Sequence, residues 1–443
     1  MQDSNDSGKK DKRQIGVGIL GFGTVGAGVA AGLLDNRGPL AERTGIDIVL
    51  RKVADLDVTT DRGVKLPEGV LTNDAMAVIN DPAVDIVVEL IGGCGVAMKF
   101  VKAALQAGKP VVTANKKMLA EHGAEIFGLA AEKNADIFFG ASVGGGIPII
   151  RALRDGLAGN RIASIHGILN GTCNYILTKM EREGVPFEAA LAEAQRQGFA
   201  EADPTLDVDG FDTLHKAAIL AALAYGIFPD VRHLAVRGIR GVVEAADIRF
   251  AADLGYRIKL LAIVKQDDAG VEIRVAPTLV PEDGMLASVS GVFNAALVKG
   301  DLSGDTLYYG RGAGRLPTAS TVIGDIAEVA RGIAADGWPR IAVPRTSRAV
   351  RIKDAGEIVS RHYVRLSLAD TPGSLAAAAG VFGDHGVSIQ AALQKSMPEE
   401  RPGFATVVVM THQAAQSDLD AALAALSRLP CCGAPPCRLG IED

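Results

Sequence analysis

The run 15–30, IGVGILGFGTVGAGVA, limits the fold more than any other stretch. A short β-rich segment ends at Gly21 and a helix of small residues follows Gly26. Gly21, Gly23 and Gly26 therefore make G-x-G-x-x-G in a strand–turn–helix setting. Glycines at this spacing allow a tight turn and let backbone N–H groups approach a pyrophosphate at a helix N-terminus. Glycine-rich turns that bind no nucleotide share the spacing, so its meaning rests on the elements downstream of it. IDIVLRKVAD (46–55), AVDIVVELIG (83–92) and PVVTANK (110–116) read as further strands, alternating with helices such as AMKFVKAALQAG. That alternation predicts an α/β, Rossmann-type, doubly wound parallel sheet with a dinucleotide across the carboxyl edge of its strands. Phe22, Thr24 and Val25 complete the turn expected to meet the cofactor. Asp55 closes the second strand, where a carboxylate accepts from a ribose diol and repels a 2′-phosphate. This favours NAD, while Arg51, Lys52 and Arg62 keep NADP open.

Beyond about residue 135 the pattern becomes α+β. ADIFFGASVGGGIPII and RIASIHGILNGTCNYILTKM each read as strand, turn and helix, and 249–280 as a helix followed by alternating strands. Residues 305–335 return to a glycine-rich turn and helix expected to pack on the first domain. The predicted division is a disordered leader 1–14 and a nucleotide-binding domain 15–140, completed by about 305–335. A second domain 141–304, a Pro- and Arg-rich linker 336–358 and a small βαββα domain 359–443 of ferredoxin-like order follow.

The net charge of −6, with KKDKR as the sole basic block, argues against nucleic acid. No apolar run approaches the roughly 18 residues of a membrane span, and the N-terminal segment has no apolar core of a signal peptide. The five cysteines lack paired metal-ligand spacing, as do His122, His166 and His215. Free thiols in a reducing cytoplasm are the expectation.

The chemistry concentrates in 198-GFAEADPTLDVDGFDTLHKAAIL-220. Glu201, Asp203, Asp207, Asp209 and Asp212 precede Lys216 at the mouth of an apolar helix ending near Gly226. Asp212 and Lys216 stand four apart, so they share a helix face. One reading is a surface ion pair worth about 0.2–0.5 kcal/mol. The other is a partly buried amine, able to exchange a proton with an alcohol or carbonyl, beside acids that bind a substrate ammonium. Lys116, in TANK, stands where ligands bind in this architecture, and Lys117 next to it is a surface lysine.

Taken together, GFGTVG, TANK, SVGGGIPII, LNGTCNYIL, GFAEADPTLDVDGFDTLHK, GRGAG-LPTAS and DTPGSLA resemble homoserine dehydrogenases that carry a C-terminal ACT domain. The resemblance runs from Ile15 to the end. It implies NAD(P)-dependent interconversion of L-homoserine and L-aspartate 4-semialdehyde in threonine, methionine and isoleucine biosynthesis, by a homodimer or homotetramer. It makes 141–304 the catalytic and dimerisation domain. Lys216 matches the family's acid/base lysine and Asp212 its partner, while Lys116 matches a lysine contacting cofactor and substrate. Glu201 and Asp207 match residues for the substrate, and Gly312 a cofactor contact. A monovalent cation, Na or K, is implied on main-chain carbonyls of Gly140, Val143, Gly145 and Ile147, although Gly140 replaces a glutamate common in relatives. Asp370, Pro372, Gly373 and Leu375 match the ligand turn of an ACT domain, which implies threonine as effector; a structural dimerisation module is the alternative. Another Rossmann dehydrogenase, akin to aspartate dehydrogenase, or a non-catalytic amino-acid sensor, are the rival readings.

Overall fold

The computed structural model describes residues 13–335, 337, 350–395 and 401–442, which form two compact units. The first comprises the described residues to Gly156 with those from Arg311 to Gly337. Its strands are β1 (Gln14–Leu20), β2 (Asp47–Ala54), β3 (Leu71–Thr72), β4 (Ile86–Glu89), β5 (Val111–Thr113) and β6 (Ile137–Phe138). All pair in parallel, in the order β3-β2-β1-β4-β5-β6. This is the doubly wound order with its switch point between β1 and β4. β1 is buried from Ile15 to Leu20, as expected of a strand covered on both faces. Gln14, which the predicted leader included, opens β1 and bonds Asp47; residues 1–12 lie outside the described residues. The helix Arg315–Ala334 returns to this unit, where its Val322 and Ile326 share a core with Ile19, Val29 and Val88.

The second unit holds Leu157–Gly310 and the described residues from 350 on. Its strands are β7 (Ile162–Ile168), β8 (Ala235–Val236), β9 (Tyr256–Asp267), β10 (Gly270–Pro281), β11 (Phe293–Gly300), β12 (Gly304–Arg311), β13 (Val359–Ala369), β14 (Ile389–Gln394), β15 (Phe404–Thr411), β16 (Ala414–Ala415) and β17 (Cys432–Ile441). Eleven strands join in one sheet, ordered β12-β11-β7-β9-β10-β17-β13-β15-β14 with β8 and β16 attached. The C-terminal domain therefore ends in a strand, making βαββαβ rather than the predicted βαββα. Pro435 and Pro436 hide that strand in the sequence. They fall where the β13–β17 register slips between Arg365 and Ser367, so their missing N–H groups cost the ladder little.

β17 also pairs in parallel with β10, at Thr278–Gly440 and Leu279–Ile441, which splices the small domain into the larger sheet. Two buried acids fasten the splice. Asp247 accepts from Tyr363 Oη at 2.9 Å and Arg365 Nε at 2.8 Å. Glu442 meets His166 at 3.2 Å, Arg274 at 2.6 Å, and Lys265. Burial works against the Glu442 charge, but His166, Lys265 and Arg274 outweigh it and hold its pKa at about 2. Residues 350–358 of the predicted linker pack on β10, with Lys353 N–H donating to Val271 at 2.9 Å; 338–349 lie outside the described residues. No helix among the described residues is long and apolar enough to cross a membrane.

Candidate active site

At the switch point of the first unit, the glycines earn their places sterically. A Cβ on Gly26 would stand 2.0 Å from the Gly21 carbonyl oxygen, and Gly21 itself has φ +98°. Gly23 faces open space, which leaves room for a pyrophosphate beside the N-terminus of the helix Thr24–Asp35. Phe22 N–H donates to Asp55 at 2.5 Å, tying the turn to the end of β2. Arg51 instead reaches Gln14, Lys52 the Gly69 carbonyl, and Arg62 pairs with Asp57 at 3.0 Å.

Glu89, which no sequence motif marks, organises the opposite wall. Fully buried, it accepts from Ile91 N–H at 2.8 Å, Gly92 N–H at 3.1 Å and the Thr113 hydroxyl at 2.6 Å. Asn115 caps the helix Lys116–Lys133 through Met118 N–H at 3.2 Å and donates to the Gly93 carbonyl at 2.6 Å. Lys116 is thus the first residue of a capped helix at the carboxyl end of β5, half-buried. Lys117 is exposed beside Glu121, as a surface lysine should be. Cys94, Glu121 and His122 bring their ligand atoms within 4.8 Å of one another, a grouping their spacing did not suggest. Burial and Glu121 hold the Cys94 thiol up at about 11, protonated at neutral pH.

The glycine-rich turn carrying Gly140, Val143, Gly145 and Ile147 is stitched to the returning segment of the same unit. Gly146 N–H donates to the Arg311 carbonyl at 3.1 Å, and the Thr321 hydroxyl to the Gly145 carbonyl at 2.7 Å. Gly145, at φ +48°, packs so tightly on Gly312 that a Cβ would lie 2.5 Å from its oxygen. Gly140 N–H donates to Asp325 at 2.8 Å, and a Cβ on Gly140 would meet both carboxylate oxygens at 2.9 Å. Asp325 therefore fills the space a side chain at 140 would need. Burial lifts its pKa to about 6.

The second unit holds the lysine–acid cluster. The helix Phe211–Tyr225 starts at Gly210 (φ +89°) and stops at Gly226 (φ +68°), and Asp212 to Leu223 are all buried. Lys216 Nζ donates to Asp212 Oδ2 and to the Leu169 carbonyl, each at 2.6 Å. The pair is not a solvated surface bridge, since both side chains are about nine-tenths buried. Asn170, to which the sequence assigned no role, links the acids: its Nδ2 donates to Asp207 at 2.7 Å and to Asp212 at 3.0 Å. Its Oδ1 meanwhile caps the helix Gly171–Glu183 through Cys173 N–H at 2.8 Å. The Thr172 hydroxyl lies 2.6 Å from the Phe199 carbonyl and 3.1 Å from Asp207. Burial, then the nearby Asp212 charge, raise the pKa of Asp207. Glu201 is exposed. Of the remaining acids, Asp209 pairs with Arg240 at 2.9 Å and Asp203 holds Thr205 N–H at 3.1 Å, so neither serves the cluster.

In the C-terminal domain, Gly373 (φ +92°) precedes the helix Ser374–Asp384, and Asp370 N–H donates to the Gly403 carbonyl at 3.0 Å. Leu375 is exposed beside this turn.

A doubly wound nucleotide fold joined to a buried lysine–carboxylate cluster defines a pyridine-nucleotide-dependent oxidoreductase that works on an ionic metabolite. Family models match over 21–140 (homoserine dehydrogenase, NAD binding domain), 148–327 (homoserine dehydrogenase) and 362–431 (ACT domain). The chain is 43% identical to the homoserine dehydrogenase of Neisseria gonorrhoeae over 435 residues, covering 97% of this chain and 99% of that one. It is 39% identical to that of Bacillus subtilis over 422 residues, covering 94% and 96%. A solved homoserine dehydrogenase from Thiobacillus denitrificans is 41% identical with a TM-score of 0.91, covering 98% of this chain and 99% of that one. A hyperthermophilic archaeal homoserine dehydrogenase solved with NADPH is 29% identical, with a TM-score of 0.62 over 74% of this chain and all of that one. The chain belongs to the homoserine dehydrogenase family: it interconverts L-homoserine and L-aspartate 4-semialdehyde with NAD(P), in amino-acid biosynthesis.

Proposed function

We propose that Lys216 exchanges the proton with the substrate oxygen while Asp207 and Glu201 take the substrate's ammonium. What carries this reading is the convergence of the buried cluster: the Asn170 amide donates to both Asp207 and Asp212, and Lys216 donates to Asp212. Burial and the Asp212 charge both work against the Asp207 carboxylate, so a cation beside it would be favoured. The α-ammonium of an amino acid supplies that cation. The dinucleotide, when bound, supplies or accepts the hydride. Asp212 positions Lys216 for the oxygen, and the resemblance gives Lys116 the contact with cofactor and substrate that stabilises developing negative charge. With Arg51 and Lys52 engaged elsewhere and Asp55 at the turn, the residues present support NAD over NADP. Hard oxygen donors such as the carbonyls of Gly140, Val143, Gly145 and Ile147 suit Na or K. Asp325 keeps a carboxylate beside Gly140, so the loss of an acid at 140 does not empty the turn of one.

Asp207→Asn is expected to raise KM for homoserine by about 10- to 100-fold, the range of a charge-assisted bond. KM for NAD should stay within twofold, and turnover with NAD should exceed that with NADP. An unchanged KM for homoserine removes Asp207 from substrate binding.

The turn at Asp370, Pro372, Gly373 and Leu375 is proposed to bind L-threonine as feedback effector, in a homodimer or homotetramer of a cytoplasmic enzyme. Titration with L-threonine should release heat and lower activity in the wild type, with both effects lost in Asp370→Ala. Absence of heat together with unaltered kinetics would leave the domain a structural dimerisation module.

A further inference from the structure

Where the ACT domain meets the larger sheet, a cavity of about 300 Å³ opens among β8, β10, β13 and β17. Arg237, Arg274, Arg438, His362 and Gln416 line it, and no carboxylate among the described residues does. Each guanidinium arrives differently. Arg274 gives Nε to Glu272 and one terminal nitrogen to Glu442, both at 2.6 Å. Its other terminal nitrogen lies over Gly440, where a Cβ would stand 3.1 Å from it. Arg438 pairs with Asp420. Arg237 donates to the Arg438 carbonyl at 3.0 Å and has no carboxylate partner among the described residues. Carboxylates pair with Arg274 and Arg438, so the excess positive charge of the wall rests on Arg237.

The titration of the lining groups carries the mark of that excess. Burial, then the charges of Arg438 and Arg274, push His362 down to about 4. Burial also lowers Arg438, with Arg237 and Arg274 adding to the effect against Asp420. Gln416 begins the helix Gln416–Leu426, whose amino end adds partial positive charge.

We propose that this cavity binds a small oxyanion, a carboxylate or a phosphate group, on the Arg237 guanidinium together with the nitrogens of Arg274 and Arg438 that their carboxylate partners leave over. A guanidinium matches an oxyanion in charge and donor geometry, and the volume suits a small metabolite. The site is separate from the turn at Asp370. His362 and Asp370 lie toward opposite ends of β13, about 26 Å apart at roughly 3.3 Å per residue. Its occupant would share Arg274 with Glu442, which also bonds His166 on β7. β7 leads to Leu169, whose carbonyl accepts from Lys216, so a chain of bonds through Arg274, Glu442 and His166 connects the cavity to that strand.

Calorimetric titration of the full-length protein with inorganic phosphate and, separately, succinate, at fixed ionic strength in chloride, tests the site. Saturable binding of at least one is expected; phosphate alone assigns a phosphate ligand, succinate alone a carboxylate, and both the shared oxyanion chemistry. Arg237→Gln should weaken binding at least tenfold without shifting the unliganded melting midpoint, because it leaves no carboxylate unpaired. Should that variant melt early, Arg438→Gln repeats the test, since its partner Asp420 is exposed. Asp370→Asn should bind as wild type. The proposal is overturned by no saturable binding of either anion, by unweakened binding in both arginine variants, or by loss of binding in Asp370→Asn.

Discussion

Replacing Lys216 with alanine will lower kcat by about 10³- to 10⁴-fold, the upper range of a lost proton-transfer group, while affinity for the dinucleotide stays within about threefold. An alcohol cannot yield a hydride from its carbon without losing the proton from its oxygen, so some group must take it. Lys216 is a buried amine in the second unit, held by two acceptors at 2.6 Å. Lys216 bonds Asp212 and the Leu169 carbonyl, not the glycines of the nucleotide turn, so dinucleotide affinity is expected to hold. Alanine leaves Asp212 and the Leu169 carbonyl without that donor, at a cost of about 1–3 kcal/mol, so folding must be followed by circular dichroism. Lys216→Arg separates charge from chemistry. It keeps a cation beside Asp212 but cannot release a proton near neutral pH, so it should be nearly as slow as the alanine variant. Near-wild-type turnover in Lys216→Arg would sink the proton-transfer role; loss of dinucleotide binding in Lys216→Ala would make the lysine structural.

How much of this could be read from residues alone depended on whether the reason for a residue is local. Gly21, Gly23 and Gly26 are legible because a tight turn needs them whatever surrounds it. The helix after Gly210 is legible from its caps and its apolar length. Asn170 is not, because an asparagine before a helix has a sufficient local explanation as a cap, and its Nδ2 bonds reach 37 and 42 residues along the chain. Glu89 looks like an ordinary strand-end acid until Thr113 and the 91–92 turn fold around it. Asp325 lies in a regular helix and finds Gly140 only through a return of 185 residues. Strand β17 disappears behind two prolines that a bulge absorbs. What stayed hidden was long-range polar pairing, which leaves no periodicity behind.

Asp247 shows that same concealment, and its removal should be the most damaging single change to stability. In the sequence nothing marks it, since it falls before the helix read from 249, and as a dipole complement it would be worth under about 1 kcal/mol. In the structure it is fully buried and accepts from Tyr363 Oη, from Arg365 Nε, and from Glu244 N–H at 2.9 Å in a capping box. Burial opposes the Arg365 charge, but Asp247 and then Glu244 outweigh it and raise its pKa. Asp247→Ala strands that guanidinium with only the exposed Glu244, orphans a fully buried phenol and uncaps the helix. Loss of one partner of a buried pair costs about 3–5 kcal/mol. Because β13 is spliced through β17 into the larger sheet, the damage should centre on the domain junction rather than on the nucleotide fold. Urea unfolding followed by circular dichroism should show an early transition absent from the wild type. Hydrogen exchange at Tyr363 and Val364 should lose protection, while β1 amides keep theirs. Asp247→Asn, which retains the acceptor for the phenol and the cap but not the charge, should fall between. A loss below about 1 kcal/mol in Asp247→Ala, with β13 still protected, would mean that strand pairing alone holds the ACT domain in place and that the buried acid is dispensable.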